Sequence, residues 1–273
     1  MLVCQRDLQL AVLSLKSLLR FHPRLAIAVT DDGSLTAEHR DWVTRHIPGA
    51  RWHTRSELLA RSPTALDSYP HLKQMYGSSF VLICKLLHSI LLARGPRVIV
   101  CDPDTAFFES PQRLISWTES PNNQALYLHD HRDETSLVPA EVKAAFQQIA
   151  ATVAPAGQPW VMEHYFFNSG LLAFETAHID LGVAESFLRW RQQLGDNHSL
   201  RSGQPGMWFG DWTPEQTAFQ VIYGTLGARS QPLGQDYHLG GEVGHAFNHF
   251  MRHYLIQEPT LQRLKGIVAS LNK

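Results

Sequence analysis

Strand-like and helix-like hydrophobic patterns alternate along the first hundred residues. Met1-Leu2-Val3-Cys4 is a short apolar run and reads as a first strand. From about Asp7 to Phe21, residues Leu8, Ala11, Val12, Leu15, Leu18 and Leu19 fall on one helical face, with Lys16 and Arg20 outside, and Pro23 ends the helix. Leu25 to Val29 reads as a second strand, closed by Thr30-Asp31-Asp32-Gly33-Ser34. A helix from about Thr36 to His46 follows, with Thr36 as its cap and Glu38 in its first turn. Next come a strand near Ala50 to His53, a polar loop through Tyr76, an apolar helix from Ser79 to Ala93, and the run Val98-Ile99-Val100-Cys101. This β-α-β-α-β-α-β rhythm predicts an α/β fold, a mostly parallel twisted sheet with helices on both faces. The second half is less regular. It has apolar runs at 124–129 and 165–174, and helices near Ala140 to Val153, Ala184 to Gln193 and after Thr213. One domain spanning 1–273 is the simplest reading.

With 273 residues, 44% of them hydrophobic, the chain can bury a sizeable core. Lys plus Arg total 24 against 25 acids, and no basic block suggests nucleic acid or an anionic membrane surface. Cys4, Cys84 and Cys101 are odd in number, sit in apolar contexts and lack metal-ligand spacing, which points to reduced thiols in a cytoplasmic protein. The longest apolar region, Phe80 to Ala93, is broken by Lys85 and His88 and is too short to span a membrane. The N-terminus lacks the charged-then-apolar order of a signal peptide.

The most pointed chemistry is Asp102-Pro103-Asp104, at the end of the Val98 strand. Side chains alternate along an extended segment, so Asp102 and Asp104 point the same way and can share one divalent cation. Pro103 keeps Asp102 extended. Two carboxylates this close favour a hard, oxygen-seeking ion between them, Mg²⁺ or Mn²⁺. The plainer reading is a strand end followed by an acidic turn. Asp31 and Asp32 likewise form either an ordinary β-to-α turn or, Asp32 ahead of Asp31, an acceptor for a base or ribose hydrogen. Gln5, Arg6 and Asp7, just past the first strand, can border the same ligand, although Asp7 suits a cap equally well. Lys85 lies in a helix apolar nearly all round, so it either snorkels or is paired. Asn168, Ser169 and Gly170 interrupt an apolar strand, where they face a ligand or form a bulge bonded to nearby main chain. Thr213-Pro214-Glu215-Gln216 is nearly an ideal helix start, with Gln216 able to close a capping box. His245, His249 and His253 are four apart and would form one stripe on a helix. His129-Asp130-His131 reads as a strand-end turn.

In order, Asp31-Asp32-Gly33-Ser34, the D-x-D strand, Phe167-Asn168-Ser169-Gly170-Leu171, Pro214-Glu215-Gln216-Thr217 and His253-Tyr254 resemble the nucleotide-sugar-dependent glycosyltransferases of the GT-A fold. The resemblance runs from about Val3 to Tyr254. It implies a nucleotide-binding half, 1–110, and a sugar and acceptor half, 111–273, within one domain. It implies nucleoside contacts from Arg6, Asp31 and Asp32, and a diphosphate contact from Lys85. Asn168, Ser169, Gly170 and Gln216 would meet the sugar. Mn²⁺ or Mg²⁺ would sit on Asp102, Asp104 and a late histidine: His253 by its pairing with Tyr254, His249 as the fallback. The implied reaction moves a sugar from a nucleoside diphosphate sugar, a UDP-sugar favoured, to an acceptor hydroxyl, with Glu215 or Asp211 as candidate general base. Where the family often carries Gly and Lys-Pro-Trp after the late pair, this chain has Leu255-Ile256-Gln257-Glu258-Pro259, which would pass a phosphate clamp to Arg252 or Arg263. Two rivals stand beside this reading. One is a haloacid-dehalogenase-type phosphatase using Asp102 and Asp104, whose remaining motifs are missing; the other is a non-catalytic sugar-nucleotide-binding protein of the same fold.

Overall fold

The computed structural model of the protein describes residues 1–120, 124–130, 134–154, 160–161, 164–195, 199–240, 245–250 and 258–271. Three short parallel strands come first: β1 (Leu2–Val3), β2 (Ala28–Asp31) and β3 (Arg51–His53), with β2 in the middle. The helices Leu8–Leu19 and Ala37–His46 connect them, and Leu8, Val12 and Leu15 pack with Val29 and Val43 in one apolar cluster. The second helix is capped by Thr36, whose hydroxyl accepts the His39 amide hydrogen. β2 lies three residues later than the apolar pattern suggests, because Leu2 and Val3 pair with Thr30 and Asp31. That register brings Asp31 to the strand end and Asp32 just beyond it.

β4 (Arg97–Cys101) opens a second sheet, joined by β6 (Ala125–His129), β7 (Phe167–Glu175) and β8 (Ser230–Pro232) in the order β4-β7-β6-β8. β7 is antiparallel to β4 and β6, and β6 is parallel to β8, so this sheet is mixed. The helix Pro214–Thr225 packs on β7 with Phe219, Ile222 and Tyr223 enclosed, and the helices Ile83–Leu91, Ala140–Val153 and Leu181–Gln193 pack around it. A third sheet is small: β5 (Thr105–Phe107), β10 (Phe247–His249) and β9 (Tyr237–Leu239), with β10 between the other two.

Two irregularities aim the chain at one place. Along β6, Tyr127 pairs with Leu172 but Leu128 pairs with Asn168, so residues 169–171 bulge without a β6 partner. The turn Asp102-Pro103-Asp104 links β4 to β5, and antiparallel pairing of β5 with β10 sets His249 opposite Thr105. His249 is therefore a strand residue. The helix that a stripe through His245 and His249 would need does not form, because β5 and β9 take up the backbone of β10 on both sides. His253 and Arg252 lie outside the described residues.

Candidate active site

One cleft of about 1020 Å³ runs past the tips of β1, β2, β4 and β7. Within it Asp102, Asp104 and His249 each offer a ligand atom, all within 4.8 Å of one another. His249 Nε2 lies 3.1 Å from Asp104 Oδ1 and 4.0 Å from Asp102 Oδ2. Its Nδ1 donates to Asn168 Oδ1 at 3.0 Å, which fixes the ring and turns Nε2 toward the carboxylates. Asn168 Oδ1 also accepts the Gly170 amide hydrogen at 2.7 Å. A Cβ on Gly170 would lie 2.3 Å from His249 Nδ1, so this glycine makes room for the imidazole rather than for a ligand. Burial disfavours charge on Asp104, but His249 and its hydrogen bond outweigh that and hold the carboxyl below its usual range. Two carboxylate oxygens and one oriented imidazole nitrogen suit Mn²⁺ or Mg²⁺, so the residues present fit a divalent ion.

Lys85 is buried behind this group, on the helix Ile83–Leu91. Its Nζ donates to both oxygens of Asp102, at 3.0 and 3.2 Å, and to Ser169 Oγ at 2.9 Å. Glu215 Oε1, also buried, lies 3.3 Å away, an ion-pair contact that falls short of hydrogen-bond geometry. Lys85 is thus paired, not snorkelling. Burial pushes the Glu215 carboxyl up to about 7 against the pull of Lys85. Ser169 completes the cluster: its amide hydrogen goes to Gln216 Oε1 at 3.2 Å. The capping box that Gln216 could have closed is absent. Thr213 adopts helical backbone angles and its hydroxyl turns to the carbonyls of Trp208 and Gly210, which frees Gln216 to face β7.

Toward β1 and β2 the cleft is lined by Cys4, Gln5, Arg6, Asp7, Asp32 and Ser34. Arg6 pairs with Asp7 at 2.9 Å, and Asp32 Oδ1 accepts the amide and hydroxyl hydrogens of Ser34. Asp31 points away from the cleft. It is buried, takes the Gly33 and Leu35 amides, and pairs with Arg40 at 2.6 Å, which is the work of a turn. Glu215 lines the cleft beside Lys85, whereas Asp211 lines a separate hollow. The hydrogen bond from Arg201, helped by Arg191, holds the Asp211 carboxyl below its usual range and makes it a weak base. Arg263 bonds to Asn248 and covers the Phe108 ring, and it does not line the cleft. His129 ends β6 with its ring tilted against that of His164, centroids 4.0 Å apart, also away from the cleft. Leu2, Leu10, Val81, Leu82, Pro103 and Trp212 complete the lining. Apart from Pro103, none of them is singled out by its sequence surroundings, because exposure of an apolar side chain at a cleft is decided by packing.

No protein-family model and no curated protein matches the chain. Solved glycosyltransferases of the GT-A fold superpose on nearly the whole chain, and that fold is this chain's fold. Mouse xyloside xylosyltransferase 1, in its apo form, superposes with a TM-score of 0.53 at 17% identity, over 92% of this chain and 94% of its own. An active-site mutant of LgtC gives a TM-score of 0.55 at 14% identity, over 100% and 95%. The galactosyltransferase LgtC in complex with donor and acceptor sugar analogues gives 0.51 at 13% identity over the same shares.

Proposed function

We propose that this protein is a glycosyltransferase that moves a sugar from a nucleoside diphosphate sugar to an acceptor hydroxyl, with Mn²⁺ or Mg²⁺ on Asp102, Asp104 and His249. The convergence of those three side chains in one cleft carries the reading. A bound ion would neutralise charge on the departing diphosphate. Asn168 holds His249 in the required orientation, and Lys85 holds the Asp102 carboxylate and Ser169 in place. Gln216, fixed by Ser169, and Glu215 present polar atoms at the sugar end. Glu215, poised near neutrality, is the better placed of the two candidate bases. Arg6 and Asp32 border the nucleoside, with UDP the favoured carrier, so that residues 1–110 form the nucleotide half and 111–273 the sugar and acceptor half. Three free cysteines agree with a cytoplasmic setting, and no helix among the described residues is long and apolar enough to cross a membrane. The phosphatase reading loses its support because the fold is the GT-A one.

Melting curves test this directly. UDP or GDP should raise the melting temperature only when Mn²⁺ or Mg²⁺ is present, and Asp104→Ala should remove the gain. A shift of equal size in EDTA would overturn the metal-dependent scheme.

A further inference from the structure

Trp212 stands out among the aromatic residues. It is 63% exposed, the most exposed large apolar side chain among the described residues, and it alone of the four exposed ones lines the cleft. Trp117 and Trp208, by contrast, are buried, and their indole N–H groups donate to main-chain carbonyls. An indole left in water forgoes the burial that such a large ring normally gains.

The exposure is not that of a loose loop. On one side of Trp212, Asp211 is clamped by two guanidinium groups: Arg191 at 2.8 Å, and Arg201. Arg191 is itself buried and bonds to the carbonyls of Phe209 and Gly210. On the other side, the Thr213 hydroxyl bonds to the carbonyls of Trp208 and Gly210, and Pro214 begins a long buried helix. The segment Gly210–Thr213 is thus held from both ends while its central side chain is left uncovered. The backbone that carries the ring is therefore already ordered when a ligand arrives, which lowers the ordering cost of binding.

Trp212 lines the same cleft as Ser169, Gln216 and Glu215, and it lies just ahead of the helix start that carries the last two. Resting on the glycosyltransferase reading above, we propose that Trp212 is the platform for the acceptor, and that the acceptor is a carbohydrate. A pyranose ring has one face of C–H bonds that lies flat on an indole, and an edge of hydroxyls. With that face on Trp212, the edge turns toward Glu215 and Gln216, where a hydroxyl must meet the donor sugar. A serine or threonine side chain, or a small alcohol, has no such face to offer.

Saturation-transfer NMR on the full chain with Mg²⁺ and UDP tests the platform without requiring turnover. The probes are methyl β-D-glucopyranoside, methyl β-D-galactopyranoside and methyl α-D-mannopyranoside. At least one should show saturation of its ring C–H protons, lost in Trp212→Ala and kept at half strength or more in Trp212→Phe. In parallel, with whichever nucleotide sugar is hydrolysed, Trp212→Ala should lower the ratio of transfer to hydrolysis at least tenfold. The platform assignment is overturned if none of the glycosides shows saturation, if the signal is the same in Trp212→Ala, or if glycerol or a serine peptide competes equally well. Loss of the UDP-induced melting shift in Trp212→Ala would move the residue to the donor side and overturn it too. The glycosyltransferase reading fails separately, by a melting shift that ignores metal.

Discussion

The two ends of the cleft are built differently. Beside β1 and β2 its polar side chains are satisfied by sequence neighbours: Arg6 by Asp7, and Asp32 by Ser34. At the metal end the partners come from far along the chain: Lys85 with Ser169, Asn168 with His249, and Asp104 with His249 at a separation of 145 residues. The first group is largely exposed and the second largely buried. Local, solvated pairs can rearrange around a ligand at little cost, whereas buried pairs that join one helix and two sheets are ordered by folding itself. One end is therefore adaptable and the other preorganised, which suits a base that is gripped and a charge that must be met in fixed geometry.

Removing Lys85 should break the comparison most sharply. Lys85→Met leaves Asp102 and Glu215 facing each other without their shared cation, and uncompensated buried charge of this kind costs on the order of 3–5 kcal/mol. Urea unfolding should show that loss, along with a fall in donor turnover of at least 100-fold. A variant as stable as the wild type would mean that the buried cluster is not what orders this end.

The β1–β2 end also rests on a buried support, and pH can expose it. His88 lies beneath β2, with Nδ1 3.2 Å from the Thr30 hydroxyl and Nε2 3.0 Å from the Tyr76 hydroxyl. Burial, with His53 nearby, depresses its pKa from 6.5 to about 4. The folded protein then refuses a proton that the unfolded chain accepts, so the stability due to His88 is complete above pH 6.5 and drains as the pH falls to about 4. The whole contribution is roughly 3 kcal/mol. The difference in unfolding free energy between wild type and His88→Gln should shift with pH across that window; a flat difference would show that His88 is not held neutral.

These cases mark what was legible in the chain. Asp102 and Asp104 could be placed together at the end of a strand, although a turn rather than strand alternation brings their carboxylates into one cluster, and Asp32 could be placed at a strand tip. That Lys85 needs a partner was also readable, since its helix is apolar all round; that the partners are Asp102, Ser169 and Glu215 was not. His249 stands in the sequence only as the fallback to His253, which its pairing with Tyr254 favours, and the four-residue spacing of the histidines suggests a helix. Only the pairing of β10 with β5 and β9 reveals a strand, and such long-range pairing has no local signature. Gly170 misled for the same reason: the group that approaches its backbone comes from that distant strand.

Gly170→Ala sharpens the metal end by a smaller step. The new methyl would meet His249 Nδ1 at 2.3 Å and Asn168 Oδ1 at 2.8 Å, so the imidazole must leave its hydrogen bond. Loss of such an orienting contact typically weakens metal affinity about 10–100-fold. Titration of free Mn²⁺ by its EPR signal should show this, with Asp102 and Asp104 still binding weakly. Unchanged affinity would detach His249 from the metal site.

Asp32→Asn should have the smallest effect, and its smallness is informative. Asp32 is partly exposed, and its acceptor oxygen can be replaced by an amide oxygen toward Ser34. Stability should therefore stay within about 0.5 kcal/mol of the wild type. Affinity for UDP should nevertheless fall about tenfold, because a hydrogen bond to a charged acceptor is worth about 1.5–3 kcal/mol and the amide retains only part of it. Calorimetry with UDP and Mg²⁺ separates the two quantities. If stability falls while UDP affinity holds, Asp32 is a turn residue like Asp31, and the adaptable end of the cleft begins instead at Arg6.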